Sequence, residues 1–157
     1  MELHVAPMTL ADLPAVAALE AENPGAWTAV QLAGQLADAV GWHFVGRERV
    51  AGPVIAYVCG RLVLEEAEIF RLAVLAAHRR RGVGRHLLAL ALRELARRGA
   101  RTCFLEVRAA NRPALALYEQ SGFQALARRP GYYRDPLDDA VVMVNNGITE
   151  APSGRPN

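Results

Sequence analysis

The sequence contains no lysine, only two cysteines, and few aromatic residues. All 18 basic residues are arginine, so no lysine side chain can form a Schiff base or serve as a general base. Cys59 and Cys103 stand alone, without a CxxC motif or a nearby histidine pair, which argues against a zinc site and a disulfide framework. The four histidines are scattered, so no metal site is predicted.

Long hydrophobic runs are also missing. No apolar stretch approaches the roughly 18 residues that a membrane-spanning helix needs. The first thirty residues carry acids and no basic segment ahead of an apolar one, so we predict neither a membrane anchor nor a signal peptide. Together with the sparse cysteines, this leads us to expect a cytoplasmic protein.

The chain has 157 residues, 52% of them hydrophobic, which suits one globular domain with a sizeable core. The formal net charge is only +2, but it is unevenly distributed. Residues 79–112 hold ten arginines and only two acids, Glu94 and Glu106, a local excess of +8. We therefore expect an anionic group to bind near this segment.

Hydrophobic periodicity and turn residues predict the element order β, α, α, three strands, α, β, α, β, β. This is an α/β fold, a mixed sheet with helices packed on it, over residues 1–144. Residues 145–157 are expected to form a disordered tail. The predicted strands cover residues 3–6, 42–47, 54–63, 67–77, 102–107, 123–127 and 140–144. Helices are predicted over 13–19 and 111–120, in a short stretch that Thr28 caps and that contains Leu32 and Leu36, and in a long stretch that contains Val83 and is closed by Arg97-Arg98-Gly99. The nearly continuous apolar run 67–77 predicts a strand buried on both faces.

A glycine turn lies between that strand and the next helix, in the sequence RRRGVGRHLL. Gly82 and Gly84 would let backbone N–H groups at the helix start approach a bound anion, and the neighbouring arginines at 79, 80, 81 and 85 add positive charge. A pyrophosphate is the ligand we expect. The motif is neither a Walker A loop nor a dinucleotide-binding fingerprint. A tight turn with solvated arginines remains the alternative.

A second cluster, LEVRAANRPALALYEQSGF, occupies residues 105–123. Taken with the R-x-x-G-x-G string at 79–84, it resembles the GNAT superfamily of N-acetyltransferases. The likeness runs from about residue 3 to residue 144. The L-E-V-R-x-x-N string and the later Gly-Tyr-Tyr at 131–133 are most similar to the RimI branch, which acetylates the N-terminal alanine of a small-subunit ribosomal protein.

The resemblance implies a GNAT-type domain: a mostly antiparallel mixed sheet with helices on both faces and a central splayed cofactor cleft. It also implies acetyl-CoA as donor and a protein N-terminus as acceptor, with Glu106 as base and Tyr118 as acid. The protein would hold the cofactor at its pantetheine arm, at its pyrophosphate and through one contact from a helix cap. The residues implied for these contacts are Leu72, Ala73 and Val74 for the arm, Arg80, Arg81, Gly82, Val83, Gly84 and Arg85 for the pyrophosphate, and Asn111.

Each implied role has a structural alternative. Glu106 shares a strand face with Arg108, so the two could simply form an ion pair. Asn111 is a good helix N-cap, and capping alone could account for it. Tyr118 lies on the same helix face as Asn111 and could be a core aromatic, although its phenol is also suited to protonate a CoA thiolate.

On the acceptor side, Trp27, Tyr132 and Tyr133 are the candidates for a peptide groove. Acids at 135, 138 and 139 follow closely and could attract a positively charged peptide end. Surface packing and solvated loop charge are the alternative for all of them.

Three other functions compete with peptide acetylation. One is acetylation of a small-molecule amine with the same cofactor chemistry. Another is an RNA-binding module built on the basic segment, but Phe104 is its only aromatic residue, too few for base stacking. The third is a catalytically silent acyl-CoA sensor, which the presence of both Glu106 and Tyr118 makes less attractive. We therefore expect no direct partner among nucleic acids or membranes.

Overall fold

The structure, a computed structural model, describes residues 2–150. Its main elements follow the predicted order of strands and helices. They are β1 (His4–Pro7), α1 (Leu13–Glu20), α2 (Ala29–Ala37), β2 (Gly41–Arg47), β3 (Val54–Val63), β4 (Glu66–Val74), α3 (Val83–Arg97), β5 (Thr102–Arg108), α4 (Arg112–Gln120), β6 (Gln124–Tyr133) and β7 (Asp138–Asn145). Short 3-10 turns precede α1 at Leu10–Asp12 and follow β4 at Ala76–His78.

The seven strands form one sheet in the order β1-β2-β3-β4-β5-β7-β6. The pairs β1–β2, β2–β3, β5–β7 and β6–β7 are antiparallel, whereas β4 and β5 are parallel. A parallel pair needs a crossover connection, and α3 supplies it between β4 and β5. The α/β class and the mixed, mostly antiparallel sheet are confirmed.

The chain forms two compact units. Of the described residues, the first unit contains 2–61 together with Phe70–Ala91, and the second contains Leu62–Ile69 and 92–150. The core of the first unit is built from α1, α2 and strands β2 to β4. Its buried members are Met8, Val16, Leu19, Leu32, Val45, Val54, Tyr57, Cys59 and Ala73. The splayed cofactor cleft concerns the relation between the units and stays a prediction.

Local sequence signals explain where α2 begins. Thr28 has an extended backbone and its hydroxyl accepts a hydrogen bond from Gln31 N at 3.2 Å, while Gln31 Oε1 accepts one from Thr28 N at 2.8 Å. This reciprocal capping box satisfies two backbone donors at the helix start. The cap also fixes the end of the preceding segment, which carries Trp27.

Strand β4 differs from its prediction. It ends at Val74 instead of continuing to residue 77, and its first residues alternate between buried and more exposed positions, with Ala67 and Ile69 buried. The expectation of a strand buried on both faces was therefore wrong. Arg71 within the run has a partly exposed side chain that needs an ionic partner, and apolar composition alone does not show that.

The β6–β7 hairpin is longer than predicted. Asp139 extends it by accepting hydrogen bonds from Gly131 N at 2.8 Å and from Arg128 Nε at 2.7 Å. Strand β6 is at the sheet edge and almost entirely exposed, so its sequence lacks the alternation that marks a half-buried strand.

The region predicted as a tail begins within the fold. Asn145 is the last residue of β7, and Ile148 is buried. Residues 151–157 of the predicted tail lie outside the described residues, and the domain boundary at 144 stays a prediction. Among the helices of residues 2–150, none is long and apolar enough to cross a membrane.

Candidate active site

The glycine turn lies in the first unit, directly before α3. Arg80 and Gly82 have left-handed backbones, with φ of 64° and 77°. The first turn of α3 is closed by a hydrogen bond from His86 N to Gly82 O at 3.0 Å. The backbone N–H groups that precede His86 at the helix start have no acceptor within the helix. A Cβ on Gly82 would meet no atom within 4 Å, so the φ angle and the open space both suit an approaching anion.

The four arginines of this turn divide into two groups. Arg79 is engaged in the fold: its Nε donates to Val74 O at 3.0 Å and its Nη2 donates to Asn23 Oδ1 at 3.3 Å. Arg81 lies 3.7 Å from a carboxylate oxygen of Glu48. Within residues 2–150 the exposed side chains of Arg80 and Arg85 make no hydrogen bond or ion pair. These two are therefore the arginines best able to bind a pyrophosphate.

Strand β4 carries the residues predicted to lie along the pantetheine arm. Ala73 is buried in the core of the first unit, whereas Leu72 and Val74 are half-buried. The carbonyl of Val74 accepts the hydrogen bond from Arg79, so the end of the strand and the start of the turn are held together. The contacts of this strand with the cofactor stay predictions.

Glu106 lies on β5 in the second unit, and its side chain is 31% exposed. Its Oε1 is 3.6 Å from Arg129 Nη1 on β6. The Glu106 carboxylate also raises the pKa of Tyr132, first through a hydrogen bond with the Tyr132 hydroxyl and then through its charge. Glu106 is thus a reachable carboxylate bordered by a cation and a phenol.

The ion pair between Glu106 and Arg108, offered as the structural alternative, is not formed. Arg108 instead donates hydrogen bonds to Pro136 O at 2.9 Å and to Arg134 O at 3.4 Å. Its guanidinium carbon lies 4.3 Å from the ring centroid of Tyr133. Arg108 therefore supports the β6–β7 connection and does not neutralise Glu106.

Arg129 is the site residue that sequence reasoning missed. It pairs in register with Ala140 on β7, and Glu106 pairs with Val142 on the other side of the same strand. Strand β6 is exposed along most of its length, so its sequence has no alternation of apolar and polar residues. Nothing in that sequence therefore indicates which residue comes near Glu106. The strand register is needed to find it.

Asn111 and Tyr118 frame helix α4. Asn111 Oδ1 accepts a hydrogen bond from Ala114 N at 3.2 Å, so the predicted N-cap is confirmed. Tyr118 is only 7% exposed, and its ring centroid lies 5.7 Å from that of Phe123 in an edge-on arrangement. Its ring is a packing element, and the proton-donor role of the hydroxyl stays a prediction, as does cofactor contact by Asn111.

The candidate acceptor residues are distributed over both units. Trp27 belongs to the first unit, while Tyr132 and Tyr133 form an edge-on pair in the second, with ring centroids 5.0 Å apart. Asp138 Oδ2 accepts a hydrogen bond from Ala110 N at 3.0 Å, and Asp139 binds Gly131 and Arg128 as described above. Asp139 therefore holds the hairpin together, and Asp138 ties it to the loop between β5 and α4.

Neither cysteine is suited to chemistry. Cys59 and Cys103 are free and buried, and burial raises the pKa of each thiol to about 12. A thiol with so high a pKa is not a nucleophile at neutral pH. Among residues 2–150 there is no group of three or more His, Cys, Asp or Glu side chains arranged to hold a metal ion.

Comparison with known proteins decides the family. The model of the acetyltransferase (GNAT) family matches residues 11–123. The chain belongs to this family. GNAT membership confirms the sequence resemblance and the enzyme class, an acyltransferase. It also agrees with the sheet order and with the glycine turn ahead of α3.

Among GNAT relatives, the ribosomal protein bS18-alanine N-acetyltransferase of Escherichia coli (strain K12) is 43% identical over 94 residues, 59% of this chain and 64% of that protein. The enzyme of the same name from Haemophilus influenzae is 37% identical over 93 residues, 57% of this chain and 63% of that protein. The chain thus matches slightly less than two thirds of the length of these relatives.

Solved structures extend the likeness along the whole chain. The crystal structure of the ribosomal-protein-S18-alanine N-acetyltransferase from Escherichia coli is similar with a TM-score of 0.86 and 31% identity, covering 99% of this chain and 100% of that one. Arabidopsis thaliana NAA60 in complex with a bisubstrate analogue has a TM-score of 0.81 at 19% identity, covering 92% and 98%. The second likeness shows the fold alone.

Proposed function

We propose that this protein is an acetyl-CoA-dependent N-acetyltransferase that acetylates the α-amino group of a protein N-terminus, with the N-terminal alanine of a ribosomal protein as its acceptor. The observation that carries the proposal is the whole-chain likeness to the Escherichia coli enzyme of that activity, at 31% identity. A cytoplasmic location belongs to the proposal, and two unpaired thiols fit it.

The glycine turn supplies the donor site in this proposal. Backbone N–H groups at the start of α3 would bind the CoA pyrophosphate, helped by the helix dipole. Arg80 and Arg85, whose side chains are exposed, would add charge-assisted hydrogen bonds. Acetyl-CoA supplies the reactive thioester, and its pantetheine arm would follow Leu72, Ala73 and Val74.

Glu106 would remove a proton from the acceptor. At pH 7, deprotonation costs about 1.0 to 1.4 kcal/mol for an α-amine with a pKa of about 7.7 to 8.0, but about 4.6 kcal/mol for a lysine side chain. One partly exposed carboxylate, acting directly or through a water molecule, is adequate for the first and poorly suited to the second. This difference favours an N-terminal amine over a lysine side chain.

The remaining steps form the amide and release CoA. The free amine attacks the thioester carbonyl, and the tetrahedral oxyanion would be stabilised by a strand N–H near Val74. The nitrogen then releases its second proton to solvent, the C–S bond breaks, and Tyr118 would protonate the departing thiolate and regain its proton from solvent. Tyr132 and Tyr133, with Trp27, would line the peptide groove.

Release of CoA from acetyl-CoA tests the proposal, using peptides that differ only in their first residue alongside a set of small amines. We expect turnover on an alanine-starting peptide and none on the same peptide with its N-terminus already acetylated. Turnover on small amines alone would retain the GNAT chemistry and reject the peptide acceptor. A protein that fails to bind acetyl-CoA would overturn the assignment of the glycine turn.

A further inference from the structure

A buried carboxylate lies outside the proposed chemistry, at the end of α1. Glu20 is 1% exposed, and its Oε2 accepts a hydrogen bond from the backbone N–H of Trp27 at 2.7 Å. The same oxygen lies 2.7 Å from Arg71 Nη2 on β4. One buried oxygen therefore joins the chain ahead of α2 to a strand of the sheet.

Arg71 holds the side chain of Trp27 as well. Its guanidinium carbon lies 5.8 Å from the Trp27 ring centroid, within the range of a cation–π contact. The ring of Phe70, the preceding residue on β4, lies 6.2 Å from the Trp27 ring. Backbone and indole of Trp27 are thus both fixed by the pair Arg71 and Glu20 together with Phe70.

A second tie anchors the other part of the same segment. Glu22 Oε2 accepts a hydrogen bond from Ala76 N at 3.0 Å, and Arg79 Nη2 donates one to Asn23 Oδ1 at 3.3 Å. Between the two ties lies Pro24-Gly25, where Gly25 has a positive φ of 67°. The segment from Glu20 to Trp27 is therefore attached at both ends to the chain that runs from β4 into the glycine turn.

A buried ion pair is weak evidence for stability, because apolar residues of similar volume often stabilise a core as well or better. Its distinguishing property is geometry, since a guanidinium and a carboxylate fix the direction of every bond they make. Burial alone would lower the pKa of Arg71, but the charge of Glu20 and its hydrogen bond raise it, so the guanidinium keeps its charge. The group that this geometry fixes is Trp27.

We propose that Arg71 and Glu20 form a positioning pair that sets the orientation of Trp27 for binding of the acceptor N-terminus. This rests on the proposed function, in which Trp27 lines the peptide groove. Arg71 acts through Trp27 and takes no part in proton transfer. The pair determines how well the acceptor binds, and the affinity for acetyl-CoA is independent of it.

The test compares Arg71→Leu and Arg71→Lys with the wild type in peptide acetylation. For Arg71→Leu we expect the KM for an alanine-starting peptide to rise about tenfold, because small misplacements of positioning groups are costly, while the KM for acetyl-CoA is unchanged. Arg71→Lys keeps the charge but loses the planar fork, so its peptide KM should lie between the two. Arg47→Leu, which breaks the Arg47–Asp12 pair at 2.5 Å elsewhere in the first unit, is the matched control and should leave both KM values unchanged.

Acrylamide quenching of tryptophan fluorescence gives a readout that does not need turnover. The chain has two tryptophans, and Trp42 is buried, so quenching reports on the half-buried Trp27. We expect stronger quenching in folded Arg71→Leu than in the wild type. Unchanged quenching or an unchanged peptide KM would overturn the positioning role, as would the same KM rise in Arg47→Leu. If the wild type acetylates no peptide, the proposed function fails, and the quenching result still decides whether Arg71 holds Trp27.

Discussion

Two arginine–carboxylate pairs use the same chemical groups in opposite settings. In the first unit Glu20 is buried, and one of its oxygens binds both a backbone N–H and Arg71 at 2.7 Å. In the second unit Glu106 is partly exposed and lies 3.6 Å from an exposed Arg129. The first carboxylate is enclosed in the fold, whereas the second remains accessible to a substrate.

The difference shows what a general base requires of its surroundings. A carboxylate that is held by short hydrogen bonds inside a core has no route to exchange protons with a bound amine. A carboxylate at a longer distance from a solvated arginine can exchange that partner for an incoming ammonium, because exposed ion pairs are worth about 1 kcal/mol or less. Residue type does not separate Glu20 from Glu106, but burial and distance do.

The largest effect that separates Glu106 from Glu20 is expected from Glu106→Gln. The variant should lose about 10²- to 10⁴-fold in kcat/KM on an alanine-starting peptide, equivalent to about 3 to 5 kcal/mol of transition-state stabilisation. Its free energy of unfolding should change by less than about 1 kcal/mol, because the pair with Arg129 is exposed. Initial rates of CoA release and urea unfolding measure the two quantities.

Glu119→Gln is the matched control, since Glu119 is exposed on α4 in the same unit. It should leave the rate and the unfolding curve as in the wild type. If Glu106→Gln keeps wild-type kcat/KM, another group removes the amine proton, and the accessibility of Glu106 has no role in catalysis.

Glu20→Gln should act mainly on stability, with a smaller free-energy change than Glu106→Gln causes in catalysis, and its loss of activity should be a rise in the peptide KM, because Glu20 belongs to the positioning pair. Glutamine can still accept from Trp27 N, but it leaves Arg71 without a counter-charge inside the fold. Breaking one partner of a buried pair costs about 3 kcal/mol, so the urea midpoint should fall markedly. Glu22→Gln is the control, because Glu22 is more exposed and lies 3.8 Å from Arg79, and it should cost less than about 1 kcal/mol. Equal losses for the two variants would show that burial does not distinguish Glu20.

Much of this framework could be predicted from the sequence. Strand β3 has the predicted bounds, and helix α3 begins at Val83 and ends at the predicted Arg97-Arg98-Gly99 stop, because helical spacing of apolar residues, a preceding glycine turn and β-branched composition are local signals. Thr28 and Asn111 were predicted as caps and serve as caps, since capping depends on the next three residues. The predicted glycine turn is present ahead of α3, and Gly82 has a positive φ of 77° that glycine adopts readily.

The partners of the two carboxylates could not be predicted. Glu20 stands at the end of a short helix, in a sequence position typical of a solvated acid, and only the folded core buries it. The proximity of Arg129 to Glu106 depends on the register of three strands, which no local pattern specifies. Contacts between residues far apart in sequence depend on tertiary packing, and a single sequence gives little information about it.

The smallest effect on stability is expected at Glu94 on α3, whose partly exposed carboxylate pairs with two arginines. Its Oε1 lies 2.7 Å from Arg97 Nη2 and accepts from Arg98 Nε at 3.1 Å, and these hydrogen bonds, that with Arg97 first, lower its pKa from 4.5 to about 2. Because the pKa in the folded state is below the unfolded value, the ionised form is stabilised by folding. The contribution is complete above pH 4.5 or so and decreases as the pH falls toward about 2.

Glu94→Gln should therefore be less stable than the wild type at neutral pH by under about 1 kcal/mol, since the Glu94 carboxylate is partly exposed, its partner Arg97 is exposed, and solvent screens the pair. The difference should shrink steadily in urea titrations performed from pH 5 downward, and added salt should reduce it at neutral pH. Two well-placed arginines at a solvated helix end would then contribute less than the single Arg71 beside Glu20. A loss at neutral pH as large as that of Glu20→Gln would mean that the number of arginine partners, and not burial, decides what such a carboxylate contributes.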